Sequence, residues 1–316
     1  GYSIGTTAAV TGTITNDDQP PLTGDVTLPA RPTTGWTVNE NNVGLAPFGI
    51  VGEDLPVYTG PYEIPAGSVI TGVRFTRPVN LNQGNIIIER SLFQPTSASP
   101  GMSLATTTNY NSWSPPSGRV IIRDSEFDGS LLPTDQDRAF MGGFKGVADL
   151  QRNYIHHLGS GISLYNTGRT FDSLIEHNYV TDLVRWGDPA GNGNHSSAFT
   201  MRDFTDADNP NRQAVVRNNR FNADHSNVTA AIFMQAWEGR IDNVSIQGNL
   251  LQGTGYNLIL EANRNGYSNV SAINNRFAPT QWGATYFSGG GGWAAWEDNF
   301  RYDPLMPNTM GAQIFQ

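Results

Sequence analysis

Side chains able to carry out acid–base chemistry lie in three parts of the sequence. The acidic segment 128–138, the polar segment 185–211 and the end of the apolar run NLILE each supply at least one. Two carboxylates can serve as the acid and the base or nucleophile of glycoside hydrolysis, and a histidine or arginine can transfer a proton or hold an anion. The candidate catalytic residues are Asp137, His195, Arg202, Asp203 and Glu261.

The sequence leaves open how these acids pair. Asp137 could face either Glu261 or Asp203, and an ordinary solvated surface would explain the same acids in a chain of pI 4.9. Lys145 is the only lysine, and we expect it on a turn rather than in a catalytic role.

Three histidines lie next to the repeats described below. His156 and His157 are adjacent, and adjacent residues of an extended strand point to opposite faces. We therefore expect these two side chains not to share a metal ion. His177 is expected to be structural.

Aromatic and amide side chains accompany the candidate acids and bases. An aromatic ring offers a flat apolar face to a sugar ring, and an amide can hydrogen-bond to sugar hydroxyls. A solvated sheet face would contain similar residues. The predicted substrate-binding residues are Tyr165, Trp186, Gln235, Trp237 and Tyr286.

Two acidic stretches are candidate calcium sites. NDDQPP contains Asp17 and Asp18, and DADN contains Asp206 and Asp208. Carboxylate oxygens are preferred ligands of Ca²⁺, although neither stretch has the full spacing of an EF-hand loop. We expect no other cofactor to be required. The absence of cysteine excludes thiol catalysis and thiolate metal sites.

The elements that position these residues come from a repeat. Each unit alternates apolar residues and then has Asn or Ser, one further residue and an apolar residue, as in LQRNYI, LIEHNYV and VVRNNRF. Successive Asn or Ser positions lie 24 to 41 residues apart. These positions are Ser91, Ser125, Asn153, Asn178, Asn219, Asn249, Asn275 and Asn299.

This repeat predicts stacked coils. A sharp turn between strands needs a left-handed residue, which Asn tolerates well, so we expect the asparagines to occupy that conformation and to form a hydrogen-bonded ladder. One coil cannot bury its own apolar face and needs neighbours. The period-2 alternation excludes a helical solenoid, and propeller blades are longer. The sequence predicts an all-β, right-handed parallel β-helix over residues 22–316, with an N-terminal cap.

A second strand follows each turn, in the segments GISLY, AFTMR, AIFMQ, NLILE and ATYFS. Alternation assigns every second residue to the interior and the others to the exterior. The inward residues are Ile162, Leu164, Phe199, Met201, Ile232, Met234, Leu258, Leu260, Thr285 and Phe287. The outward residues include Tyr165, Arg202, Gln235, Glu261 and Tyr286, and we expect them to line up beside a loop of the long coil 178–219.

The repeats resemble those of right-handed parallel β-helix proteins of the pectate-lyase-like superfamily, over roughly residues 60–303. That superfamily contains lyases, hydrolases, epimerases, tailspikes and adhesins, and its lyases often use Lys or Arg as the base. The GHG, RxK and Arg-x-Pro-x-x-Arg motifs of its known enzymes are absent. The segment HSSA has Ser197 where similar secreted β-helix proteins have Asp in HNDG.

Residues 1–21 stand apart from the repeats. Their segment AAVTGTITNDD resembles the last strand of a Calx-β-type domain, which implies a preceding module and a calcium site at the junction. A disordered acidic linker is the alternative.

The net charge of −9 disfavours nucleic acid and anionic membranes, and no apolar run approaches the length of a membrane span. We expect a secreted or cell-surface bacterial monomer, joined to flanking modules, that acts on extracellular polysaccharide as a glycoside hydrolase or a polysaccharide lyase. The alternative is a non-catalytic structural, adhesive or carbohydrate-binding module.

Overall fold

The computed structural model describes residues 31–98, 102–108, 115–165, 171–307 and 311–316. These residues form a right-handed parallel β-helix, which confirms the fold predicted from the repeats. The predicted separate segment 1–21, with its candidate calcium ligands Asp17 and Asp18, lies outside the described residues.

Each complete coil contributes one strand to each of three parallel sheets. Sheet 1 precedes the ladder turn and consists of Val69–Thr71 (β1), Ile86–Glu89 (β4), Val120–Arg123 (β7), Asp149–Gln151 (β10), Ser173–Glu176 (β13), Ala214–Arg217 (β16), Ile241–Gln247 (β19), Tyr267–Ile273 (β22) and Ala295–Glu297 (β25). Sheet 2 follows the turn and consists of Arg74–Phe75 (β2), Leu92–Phe93 (β5), Glu126–Asp128 (β8), Tyr154–His156 (β11), Tyr179–Val180 (β14), Arg220–Ala223 (β17), Leu250–Gly253 (β20), Arg276–Phe277 (β23) and Phe300–Arg301 (β26).

Sheet 3 carries the predicted outward residues. It consists of Val79–Asn80 (β3), Ser103–Thr106 (β6), Gly142–Lys145 (β9), Ser160–Leu164 (β12), Ser196–Met201 (β15), Val228–Gln235 (β18), Tyr256–Glu261 (β21) and Gly283–Ser288 (β24). Helical structure among the described residues is short: one α-helix, Asp135–Ala139 (α1), and the 3₁₀ turns Gly35–Thr37, Ala46–Phe48 and Gly52–Asp54. None of the helices of these residues is long and apolar enough to cross a membrane.

Apolar side chains from all three sheets fill the interior. Phe93 stacks between Phe75 and Phe127, with ring centroids 4.6 and 4.3 Å away. In sheet 3, the eight predicted inward residues of β12, β15, β18 and β21 are completely buried. Neighbouring coils therefore cover one another's apolar residues, as the length of a single unit requires.

The last coil departs from this pattern. The predicted inward residue Phe287 is 42% exposed, and Thr285 is half-buried. The register still aligns Thr285 and Phe287 with the buried Leu258 and Leu260, so they lie on the inward side. They are incompletely buried because β24 is the last strand of sheet 3 in the described chain.

The predicted asparagine ladder is present and fully buried. From Asn153 to Asn275, each asparagine donates its backbone N–H and its Nδ2 to the Oδ1 atom of the next, at 2.9 to 3.0 Å. Each Nδ2 also donates to a backbone carbonyl of the preceding coil, as Asn219 does to Ile175. Ser91 and Ser125 extend the ladder through their backbone N–H groups.

The expectation that the ladder asparagines have left-handed backbone was wrong. The left-handed residue is the one before each of them, for example Arg152 (φ 55°), His177 (φ 56°) and Asn218 (φ 54°). The preceding residue makes the bend, so the asparagine can direct both its backbone N–H and its side-chain amide along the axis. The structural role expected for His177 fits this position.

Residues 35–48, which consist of turns and two of the 3₁₀ turns, lie on the outside of sheet 2, and we call them the strap. Gly35 donates a backbone hydrogen bond to Gly248, and Gly44 donates one to Arg152. A Cβ atom on Gly35 would lie 2.3 Å from the carbonyl oxygen of Asn219, so only glycine allows this approach. Part of the N-terminal region therefore covers a side of the helix rather than its end.

We predict that Asn219→Ala lowers the free energy of unfolding by about 3 kcal/mol, because it leaves several buried hydrogen-bonding groups without partners. Chemical denaturation followed by circular dichroism measures the change. The control is Asn218→Gly at the neighbouring left-handed position, which we expect to be nearly neutral. Equal losses in the two variants would contradict the importance of the ladder.

Candidate functional site

Four outward side chains line up across successive strands of sheet 3. We call Tyr165, Arg202, Gln235 and Glu261 the outer column. Arg202 donates from Nη1 to Oε1 of Gln235 at 2.7 Å, and Gln235 donates from Nε2 to Oε2 of Glu261 at 2.6 Å. The guanidinium carbon of Arg202 lies 6.0 Å from the ring centroid of Tyr165. All four side chains are half-buried, so the column is a continuous polar and aromatic strip.

The structure places Lys145 directly beside this strip. Its Nζ lies 4.6 Å from the ring centroid of Tyr165. Burial lowers the pKa of Lys145 below its usual value of 10.5; Glu238 raises this pKa and Arg202 lowers it further. A buried lysine with a lowered pKa is a better proton acceptor near neutral pH than an exposed one.

Sequence reasoning placed Lys145 on a turn and therefore missed it. Lys145 ends β9 and pairs in register with Ser163 of β12. The segment GGFK of residues 142–145 has the same alternation as GISLY, and extending that alignment by one coil would have found the lysine.

Aromatic side chains flank the column. Phe233 lies beneath the guanidinium of Arg202, 5.5 Å from its ring centroid. Trp237 is 40% exposed, and the guanidinium carbon of Arg264 lies 3.9 Å from its ring centroid. Tyr286 is also 40% exposed, but it pairs with Ile259 and so lies beside the column rather than in it.

His195 and Trp186 lie near the N-terminal ends of the strands of sheet 3, whereas the outer column lies at their C-terminal ends. His195 is exposed and immediately precedes β15, whereas Arg202 follows it, so about 20 Å of extended strand separates them. The loop that carries Trp186 is held by Asn194, whose Oδ1 accepts the backbone N–H of Trp186 and whose Nδ2 donates to the carbonyl of Ala139.

Asp137 lies in α1, also near the N-terminal ends of the strands of sheet 3. Its carboxylate accepts a hydrogen bond from the Thr134 hydroxyl, which in turn accepts the backbone N–H of Asp137 and caps the helix. Glu261 is four coils further along, about 19 Å along the axis. This separation exceeds the range of up to about 9.5 Å that paired glycosidase carboxylates need.

Asp203 and Asp206 lie beyond the end of β15, near the buried Arg212. The guanidinium carbon of Arg212 lies 3.8 Å from the ring centroid of Phe204, and burial lowers the pKa of Arg212 to about 10 although Asp206 and Asp203 oppose this. Asp206 and Arg212 help to line a pocket of about 240 Å³.

Asp206 and Asp208 were predicted calcium ligands. Oδ1 of Asp206 accepts the backbone N–H of Asp208, while the side chain of Asp208 is exposed. Within the described chain, neither belongs to a group of three or more acidic or histidine ligands. Calcium binding here stays a prediction.

A second pocket, of about 300 Å³, lies between the strap and the turns that join sheets 1 and 2. Four arginines and two acidic residues line it, so the acidic neighbours only partly offset the positive charge. Arg90 and Arg123 both form ion pairs with Glu89, at 2.6 and 2.7 Å, and Arg152 pairs with Asp124.

The expectation that His156 and His157 point to opposite faces was wrong. Their Nδ1 atoms are 2.6 Å apart, and Asp128 is close to both. His157 follows β11 with φ 56°, so it has left the extended conformation on which the expectation depended.

Comparison with protein family models, with curated proteins and with solved structures finds no match to this chain. The fold and the side-chain geometry are therefore the basis for a functional proposal.

A single lysine makes the environment of the outer column measurable. After reductive ¹³C-methylation, we expect the Lys145 signal to titrate below the value of the same methylated lysine in a peptide. Arg202→Gln should raise this pKa, because it removes a positive charge that disfavours the ammonium form. Glu238→Gln should lower it, because it removes a stabilising negative charge.

NMR titration measures each shift, and Glu297→Gln, an exposed substitution on sheet 1, is the control without effect. A pKa of Lys145 that responds to neither Arg202 nor Glu238 would contradict the described geometry.

Proposed function

We propose that the protein binds an acidic polysaccharide along the outer column and cleaves it by β-elimination. The observation that carries this proposal is the placement of Lys145, with its lowered pKa, on the ring of Tyr165 and close to Arg202. Such a lysine can accept a proton while the arginine holds a carboxylate. The resemblance of the repeats to the pectate-lyase-like superfamily supports this proposal. We also propose that the protein acts outside the cell.

The length of the strip suits a chain-like ligand. Adjacent strands lie about 4.8 Å apart, so the strands from β9 to β21 span about 19 Å. This span matches a few sugar units lying parallel to the helix axis. Tyr165 and the flanking Trp237 would stack on sugar faces, and Gln235 and Glu261 would hydrogen-bond to hydroxyls.

The proposed reaction uses two residues that neighbour Tyr165. Arg202 binds the carboxylate of a uronate and stabilises the negative charge that develops there. Neutral Lys145 takes the proton from the carbon next to that carboxylate. The electron pair left behind forms a carbon–carbon double bond and expels the glycosidic oxygen, which then takes the proton back from Lys145.

Hydrolysis has weaker support. Asp137 is too far from Glu261 to share a glycosidic bond with it. Asp203 and Glu261 are two coils apart, about 10 Å, at the upper end of the separation used by inverting glycosidases. The carboxylate of Glu261 also accepts a hydrogen bond from Gln235.

A non-catalytic module is the second candidate. The observation that favours it is the hydrogen bonding within the column, because Arg202, Gln235 and Glu261 are already linked to one another without a ligand. A structural or carbohydrate-binding sheet face would be stable in this arrangement.

A panel of uronate-containing and neutral polysaccharides tests the proposal. We expect an unsaturated, ultraviolet-absorbing product from at least one acidic polymer and none from neutral ones. Lys145→Met should lower kcat by at least about 100-fold with unchanged circular dichroism, because it removes the base but keeps the apolar stem. The control Arg217→Gln removes an arginine from sheet 1 and should retain activity.

Products without the double bond would show hydrolysis instead. Binding without any product would favour the non-catalytic module, and neither binding nor product would overturn both proposals.

Glu261→Gln separates the two reactions. If Glu261 contacts only sugar hydroxyls, the substitution should raise KM by a few fold and leave kcat nearly unchanged, because an amide can still form hydrogen bonds. If Glu261 is a catalytic acid or nucleophile of a hydrolase, turnover should be abolished. Steady-state kinetics on the best substrate decides between them.

A further inference from the structure

Three potential metal ligands converge on the outside of sheet 2, independently of the outer column. Oδ1 of Asp128 lies 3.5 Å from Nδ1 of His156 and 3.4 Å from Nδ1 of His157, and the two Nδ1 atoms are 2.6 Å apart. Asp128 ends β8 and His156 ends β11, so the group joins two successive coils. Among the described residues, these three form the one such cluster of histidine and acidic side chains.

The surroundings orient His156 as a ligand. Its Nε2 lies 2.9 Å from Oε1 of Glu126, and only Nε2 carrying the hydrogen allows a hydrogen bond to a carboxylate. Nδ1 of neutral His156 then has a lone pair directed at the cluster. A histidine that binds metal through one nitrogen and donates to a carboxylate through the other is the usual arrangement in metal sites.

The carboxylate of Asp128 is held in place as well. Gln94 donates to Oδ2 at 2.9 Å, and the hydroxyl of Ser130 donates to the same atom at 2.6 Å. The backbone N–H of Ser130 donates to Oδ1 at 2.8 Å. Asp128 is therefore oriented before any ligand binds, which reduces the entropy lost on binding.

The three distances fit the bond lengths of a transition-metal ion. The point equidistant from Oδ1 of Asp128 and Nδ1 of His156 and His157, in their plane, lies about 1.9 Å from each atom. This distance is slightly shorter than the metal–nitrogen and metal–oxygen bonds of about 2.0 to 2.2 Å in zinc sites. An ion slightly out of the plane of the three atoms could thus bond to all of them once the two Nδ1 atoms, now 2.6 Å apart, separate by about 0.7 Å towards a tetrahedral angle at the metal. The side chain of His157 is 43% exposed, which leaves access from solvent.

We propose that Asp128, His156 and His157 bind one divalent transition-metal ion such as zinc, with at least one coordination position open to water. Two imidazoles and one carboxylate are a common protein ligand set for zinc and for non-haem iron. Bound metal would cross-link the coils of β8 and β11. The alternative is that the two Nδ1 atoms share a proton in a hydrogen bond and that the cluster binds no metal.

Isothermal titration of the chelator-treated protein with ZnCl₂ tests the site. We expect one ion per chain, and a rise of several degrees in Tm in excess zinc because only the folded chain holds the three ligands together. His157→Asn removes an imidazole but suits the left-handed backbone, and it should weaken zinc binding at least 100-fold.

His177→Asn is the matched control, because His177 has the same left-handed backbone without the cluster. It should leave zinc affinity unchanged. Glu126→Gln should weaken binding by about 10- to 100-fold through the lost orientation of His156.

X-ray absorption of the zinc-loaded unmodified protein gives a result that does not depend on any variant folding. Two imidazole ligands and additional oxygen ligands at about 2.0 to 2.2 Å support the site. No stoichiometric zinc binding, ligation by fewer than two imidazoles, or equal losses in His157→Asn and His177→Asn would overturn it.

Discussion

The structure depends on the stacking of one coil on the next. The buried asparagine ladder and the parallel backbone hydrogen bonds hold successive coils in a fixed register, and apolar residues of each coil are covered only by their neighbours. Because the register is fixed, residues at equivalent positions of different coils become neighbours in space. A stable arrangement of chemical groups can therefore be assembled from residues that are 26 to 37 positions apart in sequence, as in the outer column.

The repeats were sufficient to predict the fold, the ladder and the interior of sheet 3 except its last strand. They were insufficient to predict backbone conformation or burial that depends on residues outside the single repeat. The backbone of Asn219 is not left-handed because its predecessor makes the bend. Phe287 is exposed because, among the described residues, sheet 3 has no strand after β24. The strap has no periodicity, and the close contact of Gly35 with the turn at Asn219 depends on the packing of distant segments.

In the candidate site, too, residues on the strands were predictable and residues in the connections were not. Alternation along the strands brought Tyr165, Arg202, Gln235 and Glu261 together, because every second residue of aligned strands lies on one face. Residues in connections were not predictable in this way: Asp137 lies in a short helix capped by Thr134, and His195 lies at the N-terminal ends of the sheet 3 strands. The convergence of His156 and His157 depends on one left-handed residue, which the periodicity of a strand does not indicate.

The two proposed sites use different sheets and can be tested separately, but the outer column carries the functional proposal. The most direct measurement is a crystal structure of the Lys145→Met variant with a bound uronate oligosaccharide. The proposal requires the sugar chain to lie along sheet 3, parallel to the helix axis, with a carboxylate at Arg202 and a ring against Tyr165. A chain bound across another sheet, or in the arginine-lined pocket beside the strap, would contradict it.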